Sequence, residues 1–262
     1  MSSVAAAIRG VLLADEPTAK IRLARAAARD WRLGRLDCTF DTPMPDRPAR
    51  PARPELLAPG QMPRRGTSAR GRTALIHALA HIEYSAIDLA FDMAGRFGAR
   101  FPRAFVDDWM AVGADEAMHF ALLDRRLRSL GSHYGAMPAH DGLWEAAAET
   151  AHDPLARLAV VPMVLEARGL DVTPATQARF AAAGDGATAR ILSRILTDEV
   201  RHVAAGTRWF GYACADGEFA PAETWQALVS RYFHGNLKPP FNDSARDRAG
   251  LTREFYGPIA VA

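Results

Sequence analysis

The sequence contains little cysteine and little lysine, and it lacks both a strong net charge and a long hydrophobic run. Its two cysteines, Cys38 and Cys214, argue against a disulfide framework and are typical of a reduced compartment. The net charge of +2 at pH 7 does not favour wholesale binding to nucleic acid or membranes. No apolar run approaches the ~20 residues that a membrane-spanning helix needs. The 49% of hydrophobic residues nevertheless allow a sizeable core in a chain of 262 residues.

The N-terminal segment also lacks the features of a secretory signal. Its short apolar stretch has no basic region and no convincing cleavage site, and Asp15 and Glu16 follow it closely. We therefore expect a cytoplasmic protein.

Apolar residues recur at helical spacing along most of the chain, and no segment has the pattern of a convincing strand. Two helices are predicted within residues 4–33, with a break at Pro17. Residues 43–66 are rich in proline and arginine, which predicts an extended arm or a linker. The sequence then predicts long helices over residues 73–97, 102–130, 153–168 and 186–214, and a further helix over about 221–234 before an irregular tail.

The third long helix has an irregular sequence. Pro162 lies inside it and should distort it. Gly169 and Pro174 are expected to interrupt it, which would leave a short helical piece over residues 174–183. The predicted organisation is an N-terminal helical segment with the arm (1–66), a four-helix bundle (67–214), and a C-terminal helix with its tail (215–262).

The most informative feature of the chain is a pair of Glu-x-x-His motifs. In each, a further glutamate lies 33 residues before the glutamate of the motif. Four carboxylates and two imidazoles in this repeated order are the ligand set of a two-metal carboxylate site in a four-helix bundle. The six predicted metal ligands are Glu83, Glu116, His119, Glu166, Glu199 and His202.

The 33-residue spacing has a geometric meaning. The midpoint between Glu83 and Glu116 falls in a predicted turn, so both should lie at the same height on antiparallel helices, ~21 Å from that turn. Residues i and i+3 share a helical face, so Glu116 and His119 can bind the same ion. The second set repeats this arrangement, and residues 131–152 serve as the one long crossover of an all-α four-helix bundle.

The largely apolar neighbours of Glu83 and Glu166 indicate that these carboxylates are buried. Burial of each unpaired carboxylate would cost on the order of several kcal/mol of folding free energy, unless the group took up a proton. Two divalent cations neutralise the four carboxylates. Oxygen-rich ligation with one imidazole per metal suits iron or manganese better than zinc or copper.

Other polar residues near the motifs are candidates for supporting roles. Asp115 and Asp198 each precede a motif glutamate and can accept the second ring N–H of a ligand histidine, or lie exposed. Arg201 can pair with such an aspartate or face solvent, and Tyr84 can reach the metal cavity or only pack. A third Glu-x-x-His motif, Glu149 to His152, lacks the upstream glutamate and is interpreted as a surface pair.

Residues 73–210 resemble the ferritin-like superfamily of dimetal carboxylate proteins. Within this range HIEYSAIDLAFD, DDWMAVGADEAMHF and ILTDEVRHVAAGTRWF, together with YFHGNLKPPFN in the tail, resemble a bacterial family of uncharacterised ferritin-like proteins. Distant relatives include a tRNA hydroxylase, monooxygenase subunits, ribonucleotide reductase small subunits, rubrerythrins and ferritins. The resemblance implies the same six ligands and two iron ions, with manganese or a mixed pair as alternatives.

The first function expected is an O2-dependent oxidoreductase, a hydroxylase or oxidase, acting on a small molecule or modified base with an external electron donor. The second is iron binding or detoxification without an organic substrate. The third is tRNA hydroxylation, in which arm arginines such as Arg47, Arg50, Arg64 and Arg65 would contact phosphates. An arm that lies on the protein surface without binding nucleic acid is favoured over an arm that binds tRNA. The oligomeric state stays open, although ferritin-like bundles often form homodimers.

Overall fold

The structure is a computed structural model that describes residues 2–62 and 68–261. The chain forms two compact units, Met1–Glu145 and Ala146–Ala262, called here the first and second unit. Both are helical. The predicted division at residues 66 and 214 stays a prediction.

The first unit contains two short helices and one long helical hairpin. Its helices are α1 (Val4–Leu12), α2 (Pro17–Arg32), α3 (Ala69–Phe97) and α4 (Arg103–Ser129), followed by the start of α5 (Gly142–Glu149). A single 3-10 turn, Gly98–Arg100, joins α3 to α4 and makes them antiparallel neighbours. The break at Pro17 and the α3–α4 hairpin are therefore confirmed.

Helix starts in the first unit follow the expected chemistry of N-caps. The Ser3 hydroxyl accepts a hydrogen bond from the N–H of Ala6 at 3.1 Å, and the Ser68 hydroxyl accepts one from Gly71 at 3.1 Å. The cap at Ser68 makes α3 begin four residues earlier than the apolar pattern predicts.

The first unit also contains a minimal strand pairing that the sequence did not predict. Strand β1 (Ser2–Ser3) pairs in parallel with β2 (Leu36–Asp37), with Ser2 opposite Leu36. Each strand has only two residues, too few for a hydrophobic alternation to be visible in the sequence.

The described part of the predicted arm is extended and lies on the helices of the first unit. The Ala49 N–H donates to the Leu12 carbonyl at 2.8 Å, and the Arg96 guanidinium donates to the Pro45 carbonyl at 2.8 Å. A 3-10 turn occupies Pro59–Gln61. The expected extended arm is thus confirmed up to residue 62, and its last part lies outside the described residues.

The second unit contains a second helical hairpin and a C-terminal region. Its elements are α6 (Pro154–Val160), a π turn (Val161–Glu166), α7 (Ala167–Ala182), α8 (Gly186–Asp216), α9 (Pro221–Tyr232), α10 (Asp243–Arg248) and α11 (Arg253–Tyr256). The tail predicted to be irregular instead includes two short helices, α10 and α11. Both α6 and α8 begin at aspartate N-caps, Asp153 and Asp185. Among the described residues, no helix combines the length and apolar character needed to cross a membrane.

The predicted distortion at Pro162 is confirmed as the π turn, which widens the helix just before and at Glu166. Because proline has no N–H, the regular hydrogen-bond ladder is lost there. The predicted interruption at Gly169 and Pro174 is wrong, because α7 runs continuously through both residues. Pro174 cannot donate to the Leu170 carbonyl, but the Asn242 side chain donates to that oxygen at 3.0 Å and compensates for the loss.

The π turn packs closely against α8 at Gly206. A Cβ added at Gly206 would lie 2.5 Å from the Pro162 Cβ and 2.7 Å from its Cγ, far closer than real side chains approach. The absence of a side chain at Gly206 therefore permits this contact.

Gly206→Ala is expected to destabilise the second unit by about 1–3 kcal/mol, the usual cost of overpacking a filled core. Gly211 lies on the same helix, and among the described residues nothing lies within 4 Å of a Cβ added there. Gly211→Ala should be neutral or stabilising by up to ~1 kcal/mol. Urea unfolding of the two variants measures the difference, and equal effects would contradict the close contact.

Candidate metal centre

The α3–α4 hairpin of the first unit brings three of the predicted ligands together. The Nδ1 atom of His119 lies 3.3 Å from Glu83 Oε2 and 3.4 Å from Glu116 Oε2. One ligand atom from each of the three residues lies within 4.8 Å of the others. A glutamate from α3 therefore faces the Glu-x-x-His of α4, as the 33-residue spacing predicts.

These three side chains are almost completely shielded from water, with relative exposures of 5% for Glu83, 1% for Glu116 and 0% for His119. Burial raises the pKa of Glu83 well above its usual value, and the nearby Glu116 raises it further. Burial lowers the pKa of His119, but the two carboxylates outweigh this and raise it to about 11. The two carboxylates therefore favour a positive charge at this position, which a divalent cation can supply in place of the imidazole proton.

The donor set fits a hard or borderline divalent cation. Two carboxylates and one imidazole nitrogen are typical ligands of iron and manganese, and the shared Nδ1 faces both carboxylates. The buried cluster can hold a metal ion, whose identity the ligands alone do not determine.

The second unit contains the other predicted set. The Nδ1 atom of His202 lies 3.5 Å from Glu199 Oε1, and both residues are buried on α8. Glu166 is the last residue of the π turn and is half-buried. The convergence of all six residues on one site stays a prediction from the repeat.

Of the supporting candidates, Asp198 and Arg201 form a direct pair. Arg201 Nη2 donates to Asp198 Oδ1 at 2.6 Å, and Arg194 Nε donates to Asp198 Oδ2 at 2.5 Å. Asp198 is 3% exposed and directly precedes Glu199, so the two arginines orient a buried carboxylate beside a predicted ligand. Asp115 is half-buried on α4.

Tyr84 is completely buried beside Glu83 and lies among other rings. Its ring centroid is 5.2 Å from those of Phe120 and Tyr134, and the Lys20 ammonium lies 5.4 Å from it. Among the described residues its hydroxyl has no hydrogen-bond partner. Burial, followed by the charge of Asp88, raises the pKa of this phenol, so it stays neutral.

The first unit contains a buried ionic network that the sequence did not predict. Lys20 and Asp88, both 0% exposed, form an ion pair, and Arg50 contacts both Asp88 and Asp141. The sequence did contain a signal, because Asp88 is the one polar residue of the buried segment 86–91 in α3, where a carboxylate needs a cationic partner. The network attaches the arm to α3.

The network includes one of the arginines that were expected to contact RNA if the protein modifies tRNA. The Arg50 guanidinium is bound by two internal carboxylates, whereas Arg47 is exposed. Arg64 and Arg65 lie outside the described residues.

The loop before α5 is anchored to α3 by histidines. His81 Nδ1 is 2.9 Å from the Tyr134 hydroxyl, and His81 Nε2 is 3.1 Å from the His140 carbonyl. The N–H of Gly135 donates to His77 Nε2 at 2.9 Å. Burial, with the neighbouring Arg50, lowers the pKa of His81 to about 4, so this imidazole stays neutral at physiological pH.

The third Glu-x-x-His motif lies on the surface, as predicted. Glu149 is exposed and pairs with exposed His234 at 3.0 Å, while His152 contacts the Tyr232 hydroxyl at 3.2 Å. Motif spacing alone therefore does not identify a buried metal ligand.

The fold and the cluster define a helical protein with a buried group of glutamates and a histidine that can hold a metal ion. Residues 13–257 match the model of the family described as protein of unknown function (DUF455), and the chain belongs to this family. An uncharacterised protein of Haemophilus influenzae is 41% identical over 210 residues, which cover 78% of this chain and 73% of that protein. A comparison with solved structures found no match.

Proposed function

We propose that this chain is a ferritin-like dimetal carboxylate protein that uses two iron ions, or manganese in one or both positions, to oxidise a substrate with O2. The observation behind the proposal is the buried cluster of Glu83, Glu116 and His119. Further support comes from the repeat of the same residue types at the same spacing in Glu166, Glu199 and His202.

In this proposal each Glu-x-x-His motif binds one ion. Glu116 and His119 bind the first ion, Glu199 and His202 bind the second, and Glu83 and Glu166 complete the set. The four carboxylates balance the charge of two divalent ions, which explains why glutamates are retained in an apolar interior.

The chemistry follows from what each part supplies. A bound pair of ferrous ions would supply electrons for reducing O2, and an external donor would restore them. The chain orients the ligands and excludes water. The burial of all three residues in the first cluster shows that water is excluded there. A neutral Tyr84 beside Glu83 adds apolar surface and one phenolic O–H.

Metal loading tests the proposal directly. Anaerobic addition of Fe²⁺ to metal-free protein, followed by desalting and metal analysis, should give saturation at about two ions per chain. The loaded protein should consume O2 when a reductant is present. Loading of many ions per chain would instead support iron storage, and no retained metal would exclude both functions.

A further inference from the structure

We propose that the tail segment, residues 238–246, positions Glu166 by holding the start of α7, and that Asn242 is the central residue of this contact. The inference rests on the proposed function for the role of Glu166 as a metal ligand. The positioning itself can be tested without metal.

Glu166 occupies a junction where the helix lacks regular hydrogen bonds on both sides. It ends the π turn that contains Pro162, and α7 begins at the next residue. Within α7, Pro174 has no N–H and cannot donate to the Leu170 carbonyl one turn earlier. A ligand at such a junction needs support from outside its own helix.

The tail segment provides this support at Leu170 and Asp171. Asn242 Nδ2 donates to the Leu170 carbonyl at 3.0 Å, where the N–H of residue 174 would donate in a regular helix. The backbone N–H of Asn242 donates to Asp171 Oδ1 at 2.9 Å. Asn242 therefore replaces the donor that Pro174 lacks.

A buried ion pair strengthens the same contact. Arg246 donates from Nε and Nη2 to the two oxygens of Asp171, at 2.9 and 2.7 Å, in a bidentate arrangement. The side chains of Asp171 and Arg246 are 0% and 1% exposed. Because a buried bidentate pair tolerates little displacement, it defines the position of α7 relative to the tail segment.

A third contact lies closest to Glu166. Arg168 Nη1 donates to the carbonyls of Lys238 and Pro240 at 2.9 and 3.2 Å. Three residues near the start of α7, Arg168, Leu170 and Asp171, are thus bonded to the tail segment within five residues of Glu166.

Asn242→Asp removes the amide donor and adds a negative charge. Its carboxylate keeps an oxygen that can accept from the Ala245 N–H, which caps α10, but it cannot donate to Leu170. We expect faster amide hydrogen exchange in residues 167–171 of the metal-free variant. We also expect one of the two metal ions to bind about 10–100-fold more weakly, the range seen when outer support of a ligand is lost. Anaerobic titration with Co²⁺, followed by visible absorbance, measures both sites.

Pro174→Ala provides a specific rescue. It restores the N–H of residue 174, so the Leu170 carbonyl regains a helical donor. The Asn242→Asp, Pro174→Ala double variant should recover exchange protection and metal affinity. Asn236→Asp makes the same amide-to-carboxylate change at an exposed position outside residues 238–246. It is the matched control and should behave like wild type.

The outcomes separate the two proposals. The positioning role is overturned if residues 167–171 of Asn242→Asp exchange their amide hydrogens at the wild-type rate. It is also overturned if the double variant recovers no protection. Both conclusions hold whatever the metal titration gives. Wild-type protein that binds no Co²⁺ overturns the proposed function, while the hydrogen-exchange comparison still decides the positioning. Asn242→Asp alone could fail to fold. In that case a folded double variant supports the positioning role. A double variant that does not fold, although Pro174→Ala alone folds, contradicts it.

Discussion

Glu116→Gln is expected to abolish most of the thermal stabilisation by divalent metal ions while changing the metal-free protein little. An ion present at 100 times its dissociation constant stabilises a folded protein by ~2.7 kcal/mol, and the variant should lose about this amount. The reason is that Glu116 lies 3.4 Å from His119 Nδ1 and provides one of two carboxylates in the buried cluster of the first unit.

The metal-free protein should tolerate this change because Glu83 can compensate. Its pKa is raised by burial and then by the charge of Glu116, so removal of that charge lets Glu83 ionise beside His119. Thermal unfolding with and without Mn²⁺ measures both effects. Glu149→Gln, in the exposed Glu-x-x-His motif, is the control and should keep the full metal response. A full metal response in Glu116→Gln would contradict the assignment of this cluster.

Asp88→Asn is expected to destabilise the protein by about 3–5 kcal/mol, the usual cost of removing one partner of a buried ion pair. Asp88 is the shared partner of Lys20 and Arg50, and neither Lys20 nor Asp88 is exposed. Burial already lowers the pKa of Lys20, and Asp88 opposes that effect. Without the carboxylate the buried ammonium has lost its charge partner.

A double variant separates charge loss from a change of shape. Lys20→Met in the Asp88→Asn background should recover part of the stability, because the isolated buried cation is removed. Asp30→Asn alters a partly exposed aspartate that also pairs with arginines and should have little effect. Urea unfolding measures all four proteins. If Asp88→Asn unfolds at the same urea concentration as Asp30→Asn, the buried network does not contribute to stability.

The first half of the candidate site could be predicted from the sequence because its geometry is local. A helix of known rise on each side of a short turn determines which residues lie opposite one another. The spacing of Glu83 and Glu116 around the turn at Gly98–Arg100 therefore placed His119 beside both carboxylates.

The second hairpin was predicted less well because a residue distant in the sequence supplies a hydrogen bond that its own helix lacks. Pro162 distorts the helix as expected, but Pro174 does not interrupt α7. The compensating donor, Asn242, lies 72 residues from the carbonyl that it contacts. Nothing in the sequence around Pro174 indicates such a partner.

The sequence by itself determined the helical class, the first hairpin and the candidate ligands, because periodicity, capping and spacing act within one or two helices. Tertiary structure alone decided which buried polar groups meet. Lys20 reaches Asp88 over 68 residues of chain, and Arg50 attaches the arm to the same carboxylate. Such pairs depend on how packed helices exclude water from a particular side chain, and a one-dimensional pattern does not record that exclusion.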